Sequence, residues 1–108
     1  MLVIIMIETK EAVTNIEEIA KVPGIDLWHI GPYDLSLSMG VPRDSPELAT
    51  ALNHVEEVAR THHIPLGGYA PTLAQAHAME ARGYRFFTIP GDMELLQHGV
   101  RDFFDSNH

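Results

Sequence analysis

Four short apolar runs alternate with four stretches that carry apolar residues at helical spacing, and this alternation constrains the fold most strongly. The runs are Leu2 to Ile7, Asp26 to Ile30, Pro65 to Tyr69 and Arg85 to Ile89. A strand that is followed by a helix and then by a parallel strand makes a right-handed crossover. The alternation therefore predicts an α/β fold of four consecutive βα units. Such units form either a small doubly wound sheet or part of a (β/α)8 barrel.

Capping residues mark where the predicted helices begin. Thr9 precedes the first helix, which runs on to Pro23-Gly24, and Ser45 precedes the second, with Pro46 at its first position. The third is predicted from about Thr72 to Arg82, and the fourth starts at about Asp92. The apolar residues expected to face the sheet are Ala12, Val13, Ile16, Ile19, Ala20, Leu48, Leu52, Val55, Val58, Ala59, Leu95, Leu96, Val100, Phe103 and Phe104.

Length and charge narrow the possibilities further. A whole barrel needs roughly 250 residues and eight units, whereas this chain has 108 residues, treated as one domain over 1–108. Seven Lys and Arg against fifteen Asp and Glu give a net charge of -8, so neither nucleic acid nor an anionic membrane surface is expected as a partner. The chain has no cysteine, which excludes a thiol nucleophile and suits a cytoplasmic location. No apolar run is long enough to span a membrane.

The segment Ile25 to Gly40 organises the chain, because its apolar run stops at a turn that is followed by a carboxylate. Gly31 frees the backbone and Pro32 has no N–H group, so the strand ends there. Asp34 is thereby placed just beyond the carboxyl end of a strand, where α/β folds bind ligands. The alternative is that Asp34 only caps the short turn from Leu35 to Met39.

A second carboxylate, Glu8, ends the first strand. Carboxylates at the ends of neighbouring parallel strands lie on one side of a sheet and repel each other unless a cation or a proton intervenes. Hard divalent cations prefer carboxylate oxygens and keep open positions for water or substrate. The alternative for Glu8 is a cap or a surface ion pair with Lys10.

Most of the chain resembles the HpcH/HpaI aldolase/citrate lyase family, and in particular the C-terminal half of its (β/α)8 TIM barrel. The segment from Gly83 to Asp92 fits this pattern more loosely than the rest. The motifs that carry the resemblance are Glu8-Thr9 at a strand end, the run from Asn15 to Pro23-Gly24-Ile25-Asp26, Gly31-Pro32-Tyr33-Asp34-Leu35-Ser36, and Gly40.

The resemblance implies a class II, metal-dependent pyruvate aldolase, that is, a carbon–carbon lyase of 2-oxo acids acting on pyruvate and an aldehyde. It implies that Glu8 and Asp34 bind a divalent metal ion, Mg²⁺, Mn²⁺ or Co²⁺, which would stabilise a pyruvate enolate. The loop Gly31, Pro32, Tyr33 and Asp34 would bind the substrate. After the proline, the backbone N–H groups of Tyr33 and Asp34 are expected to hold the carboxylate of pyruvate.

Other features of the chain depart from the family pattern. The family's substrate-binding arginine and acid/base histidine come from the N-terminal half, so no catalytic residue is assigned here. The alternative function is therefore a non-catalytic truncated fragment, or a split-barrel subunit that needs a partner half. Trp28, His29 and Tyr33 replace smaller or simply apolar residues. His29 either points into the barrel or belongs to the core.

The edges of the sheet predict association. A four-stranded piece of barrel leaves Leu2 to Ile7 and Arg85 to Ile89 as open, mainly apolar edges. We expect a homo-oligomer or pairing with a separate N-terminal half, with Phe103 and Phe104 of the last helix at the interface. A flavodoxin-like domain is a third possibility, but Glu8-Thr9-Lys10 lacks the glycine of a phosphate-binding turn.

Overall fold

A computed structural model describes residues 1–105 of the chain. Strands and helices alternate as the sequence predicts, and helical segments that the sequence did not separate lie between the strands. The elements are β1 (Ile4–Ile7), α1 (Lys10–Thr14), α2 (Ile16–Ile19), β2 (Leu27–Ile30), α3 (Pro32–Met39), α4 (Pro46–Thr61), β3 (Leu66–Tyr69), α5 (Leu73–Glu80), β4 (Tyr84–Thr88) and α6 (Asp92–Asp105).

All four strands form one parallel sheet in the order β1-β2-β3-β4, so the α/β prediction is confirmed and β1 and β4 are its edges. Each strand lies within about two residues of its predicted bounds, which is the usual accuracy at element ends. The Cα partners are Ile4 with Leu27, Ile5 with Trp28, Met6 with His29, Ile7 with Ile30, Trp28 with Leu66, His29 with Gly67, Leu66 with Tyr84, Gly67 with Phe86, Gly68 with Phe87 and Tyr69 with Thr88.

The helices cover one face of the sheet and form the core there. Trp28 is fully buried and packs with Ile7, Ile30 and residues of α4. The inner stripe predicted for α4 is confirmed, and Ser45 caps that helix by accepting a hydrogen bond from the Leu48 N–H at 3.2 Å. The core therefore anchors the strands from the helix side and leaves their carboxyl ends free for a site.

The other face of the sheet has no cover among the described residues, and we call it the open face. Its side chains alternate with those of the core along each strand. The continuously apolar run Leu2 to Ile7 predicts a first strand buried on both faces, and this prediction is wrong, because Ile4 and Met6 are 37% and 49% exposed. The open face consists of Ile4, Met6, Leu27, His29, Gly67, Tyr69, Phe86 and Thr88.

Two helix predictions are also wrong. The first predicted helix is broken at Asn15 into α1 and α2, although Thr9 caps it as expected, accepting from the Ala12 N–H at 3.1 Å. The residues of α6 predicted to face inward are instead exposed, since none of that helix is buried. The amphipathic pattern of α6 thus identifies an apolar side that is exposed among the described residues.

None of the helices between residues 1 and 105 combines the length and the apolar character that crossing a membrane requires.

Candidate metal and substrate site

The candidate site lies where β1 and β2 end side by side. Ile7 and Ile30 are register partners, so Glu8 and Gly31 follow them at the same level of the sheet. The Gly31 N–H donates to the Ile7 carbonyl at 3.1 Å, which fixes the two chain ends against each other. Glu8 and Asp34 are thus brought together from segments 26 residues apart, as the sequence predicts.

Gly31 makes room for both carboxylates. A Cβ atom placed on Gly31 would lie 3.1 Å from the Glu8 Cβ, 3.3 Å from Glu8 Oε2 and 3.6 Å from Asp34 Oδ2. The two carboxylate oxygens therefore converge on one small volume, and only glycine leaves that volume empty. This close approach, rather than an unusual backbone angle, explains the glycine.

Asp34 occupies the third position of α3 and is not its N-cap. The helix begins at Pro32, with Gly31 as the N-cap residue and no side-chain capping hydrogen bond. The capping alternative for Asp34 is therefore wrong. The described residues also contain no ion pair between Glu8 and Lys10, and the Lys10 N–H donates to Ser38 Oγ at 2.9 Å.

Two backbone donors accompany the carboxylates. The first N–H groups of a helix have no intrahelical acceptor, and in α3 the earliest such groups with a hydrogen are those of Tyr33 and Asp34, because Pro32 has none. The helix dipole favours an anion at this end. Beside a cation bound by the two carboxylates, these N–H groups suit one small carboxylate.

A cation that the sequence analysis missed lies beside the same loop. The Arg43 guanidinium stacks on the Tyr33 ring, with its carbon 4.9 Å from the ring centroid, and Tyr33 is 53% exposed. Arg43 belongs to the short loop between α3 and α4, where no periodic pattern indicates which way a side chain points. The shortness of that loop was the only feature of the sequence that could have indicated that Arg43 lies near Tyr33.

His29 lies on the open face, two residues before Gly31 on the same strand. Its Nε2 atom is 3.4 Å from Thr88 Oγ1, while its Nδ1 atom is buried and has no partner within the described residues. Burial lowers the pKa of His29, and the nearby Glu8 carboxylate opposes this by raising it. Of the two alternatives for His29, the structure supports the orientation into the barrel side.

The donor set at this site fits a hard divalent ion. Two carboxylates supply oxygen ligands and leave positions for water and substrate, as Mg²⁺ and Mn²⁺ require. Within residues 1–105 no group of three or more His, Asp or Glu side chains is close enough to enclose a metal ion. Glu8 and Asp34 are the two carboxylates that border this site.

Two further arginines, Arg82 and Arg85, lie near the start of β4. Arg82 forms an ion pair with the buried Glu56 at 3.2 Å, and Glu56 accepts a hydrogen bond from the Tyr84 hydroxyl at 2.9 Å. Arg85 donates to backbone carbonyls of Glu80 and Tyr84. Neither Arg82 nor Arg85 therefore lies at the carboxyl ends of the strands.

Comparison with known proteins matches this fold and this loop together. The family model described as HpcH/HpaI aldolase/citrate lyase matches residues 1–99. The chain belongs to the HpcH/HpaI aldolase/citrate lyase family. The similarity to a solved structure of this family favours part of a barrel over a doubly wound sheet, and it excludes the flavodoxin-like alternative.

Individual members of the HpcH/HpaI family are similar along most of this chain. A hydroxypyruvate/pyruvate aldolase of Rhizorhabdus wittichii is 37% identical over 100 residues, covering 89% of this chain and 40% of that protein. A 5-keto-4-deoxy-D-glucarate aldolase of an Enterobacter species is 29% identical, covering 96% and 41%. The crystal structure of a family protein from Burkholderia cenocepacia is 29% identical with a TM-score of 0.88, covering 97% and 42%. The chain thus spans about two fifths of the length of these relatives.

Proposed function

We propose that this chain supplies the metal and 2-oxo acid site of a class II pyruvate aldolase, a carbon–carbon lyase that joins or cleaves a hydroxy-oxo acid. The observation that carries the proposal is the convergence of Glu8 Oε2 and Asp34 Oδ2 at Gly31. Relatives named as pyruvate and keto-deoxy-glucarate aldolases support the reaction class.

Glu8 and Asp34 would hold a divalent ion, Mg²⁺, Mn²⁺ or Co²⁺, because two carboxylates that border the same glycine repel each other without a cation. When bound, such an ion polarises the ketone of pyruvate and favours its enolate. The chain itself would orient the substrate. The N–H groups of Tyr33 and Asp34 donate to the carboxylate, and the Gly31-Pro32 turn fixes both donors on the end of β2.

The open face supports a second part of the proposal. Ile4, Met6 and Phe86 are too exposed for a face that has a cover, and large exposed apolar patches mark contact surfaces. Further βα units would cover this face, as in a closed barrel. They would also bring the aldehyde site and the arginine and histidine that the family resemblance implies. The alternative is a chain that keeps the fold and metal affinity without turnover.

The first test measures exchange of the methyl protons of pyruvate in D₂O by NMR, with and without Mg²⁺ or Mn²⁺. This exchange reports enolate formation and needs no aldehyde. We expect metal-dependent exchange that Glu8→Gln and Asp34→Asn each reduce by at least about 100-fold, as for loss of a metal ligand. Metal affinity measured by calorimetry should fall in the same variants.

Matched controls are Glu17→Gln and Asp105→Asn, exposed carboxylates on α2 and α6 away from the strand ends. They carry the same loss of charge and should leave exchange unchanged. A folded chain that binds Mg²⁺ through Glu8 and Asp34 but shows no exchange would contradict the aldolase proposal for this chain alone. It would favour the non-catalytic alternative.

A further inference from the structure

His29 lies on the open face, two residues before the Gly31 that both carboxylates border. On β2 the open-face positions are Leu27 and His29, because side chains alternate along a strand, and Gly31 follows directly after the strand. Two extended residues span roughly 6–7 Å, which is about how far the Gly31 backbone, with the volume left empty beside it, lies from the His29 backbone. That volume is bordered by Glu8 Oε2 at 3.3 Å and Asp34 Oδ2 at 3.6 Å.

The neighbours of His29 hold its ring in place without satisfying it. Its register partners are Met6 on one side and Gly67 on the other. Because Gly67 has no side chain, the ring reaches across β3 to Thr88 Oγ1 at 3.4 Å and meets Phe86 edge to face at 6.3 Å. The ring is thus fixed by contacts to β4, while Nδ1 stays buried and without a partner among the described residues.

An unpartnered buried polar atom destabilises the folded chain, so native structures rarely keep one without a reason. Desolvation lowers the pKa of His29, and a neutral imidazole offers one donor and one acceptor. Thr88 can serve only one ring nitrogen. The other, Nδ1, is left buried and without a hydrogen-bond partner among the described residues.

We propose that His29 is a substrate-contacting residue whose Nδ1 atom forms a hydrogen bond with an oxygen of the 2-oxo acid held at Glu8 and Asp34. This inference rests on the proposed function and adds to it a residue that the metal pair and the α3 terminus do not supply. The ring forms the floor of the site, and the Gly31 gap lets the ligand approach it.

The test is a ¹⁵N NMR titration of the full chain with ¹⁵N-labelled histidine, first with Mg²⁺ alone and then with pyruvate at saturating Mg²⁺. We expect the His29 Nδ1 signal to move by several ppm on addition of pyruvate, while Nε2 moves less because it stays with Thr88. His54, on the surface of α4, is the internal reference and should not move.

Three variants separate the two ring nitrogens. The amide of His29→Asn reaches about as far as Nδ1, that of His29→Gln about as far as Nε2, and His29→Phe keeps the ring without either. We expect pyruvate affinity at saturating Mg²⁺ to fall about tenfold in His29→Phe and His29→Gln and to be largely restored in His29→Asn. Mg²⁺ affinity without pyruvate should stay within twofold in all three.

Each other result would overturn the inference in a recognisable way. If the amide signals of Tyr33 and Asp34 shift with pyruvate while His29 Nδ1 stays still, the proposed function stands and the His29 contact is wrong. A Nδ1 signal that depends on protein concentration and ignores pyruvate would assign the atom to an element that covers the open face. If neither Mg²⁺ nor pyruvate binds, the proposed function fails and the inference with it.

Discussion

At the scale of single residues, the sequence predicted the carboxylates because strand ends can be recognised locally. Glu8 and Asp34 each follow an apolar run, and parallel strands place such residues at one edge of a sheet. The second role of Gly31 could not be predicted in this way. It depends on where the Glu8 side chain lies across the neighbouring strand, which no local pattern encodes. Arg43 was missed for the same reason.

The first residue-scale prediction concerns Gly31→Ala. The new methyl group would lie 3.1 Å from Glu8 Cβ, which is too close for relaxed contact, so the Glu8 side chain must shift by a few tenths of an ångström from its position beside Asp34. We expect Mn²⁺ affinity to fall about tenfold or more, because small displacements of a binding group are costly. Calorimetric titration measures this fall. Gly91→Ala is the matched control, since a Cβ at Gly91 meets nothing within 4 Å.

At the scale of elements, the spacing of apolar residues predicted which residues form helices and strands. It predicted less well which parts of the molecule those helices and strands contact. The sequence correctly predicted that α6 has an apolar side, but it wrongly predicted that this side packs against the sheet. Helical periodicity shows which residues share a side, and it does not show what that side contacts. Asn15 interrupts the first helix although the apolar spacing continues through it. By contrast, α4 behaved as predicted because its cap and its stripe agree.

An element-scale prediction concerns the tie between α4 and β4, in which the Tyr84 hydroxyl donates to the buried Glu56 at 2.9 Å. Burial first, and then the Glu56 carboxylate, raise the pKa of Tyr84 well above its ordinary value of 10.0. Above pH 10 the unfolded chain loses this proton while the folded chain keeps it, so stability falls as the pH rises. Below pH 10 the group is protonated in both states and adds no pH dependence.

Urea unfolding between pH 8 and pH 11 measures this effect. We expect the wild-type chain to lose stability more steeply above pH 10 than Tyr84→Phe, which lacks the ionisable group. At pH 8 the variant should be less stable by about 1–3 kcal/mol, because Glu56 loses a buried partner. Equal slopes above pH 10 would show that Tyr84 ionises as readily in the folded chain as in the unfolded one.

At the scale of the whole molecule, helices pack on one face of the sheet, and the open face is exposed. The parallel order of strands was predictable from the βα alternation, since parallel neighbours need a crossover. The exposure of the open face could not be predicted from the sequence. A strand that the same chain buries on both sides has the same apolar composition as a strand that only another chain or domain covers on its second side.

The whole-molecule prediction concerns association. The apolar side of α6 is exposed, and the sheet has an open face and two edge strands, β1 and β4, that could pair with another chain. We expect the mass measured by sedimentation to rise with protein concentration in the micromolar range. Changing Leu96 and Val100 together to Asp should lower that mass while the circular dichroism spectrum stays helical.

Arg101→Gln is the control for that experiment, because helical spacing places Arg101 opposite the apolar side of α6. It should leave the mass unchanged. A wild-type chain that remains a monomer on tenfold concentration would contradict the prediction, and removal of residues 93–108 without any change in assembly would exclude α6 as the contact.

Gly67 has no side chain, and the side chains of Leu27 and Phe86 therefore approach each other's strands over β3. A methyl group at Gly67 would come within 2.9 Å of Leu27 Cδ2 and 3.2 Å of Phe86 Cδ1. The history of substitution at these positions should therefore be coupled. Gly67→Ala should therefore cost less stability in a chain whose Leu27 has become smaller, so the effects of the two changes on the free energy of unfolding should not add.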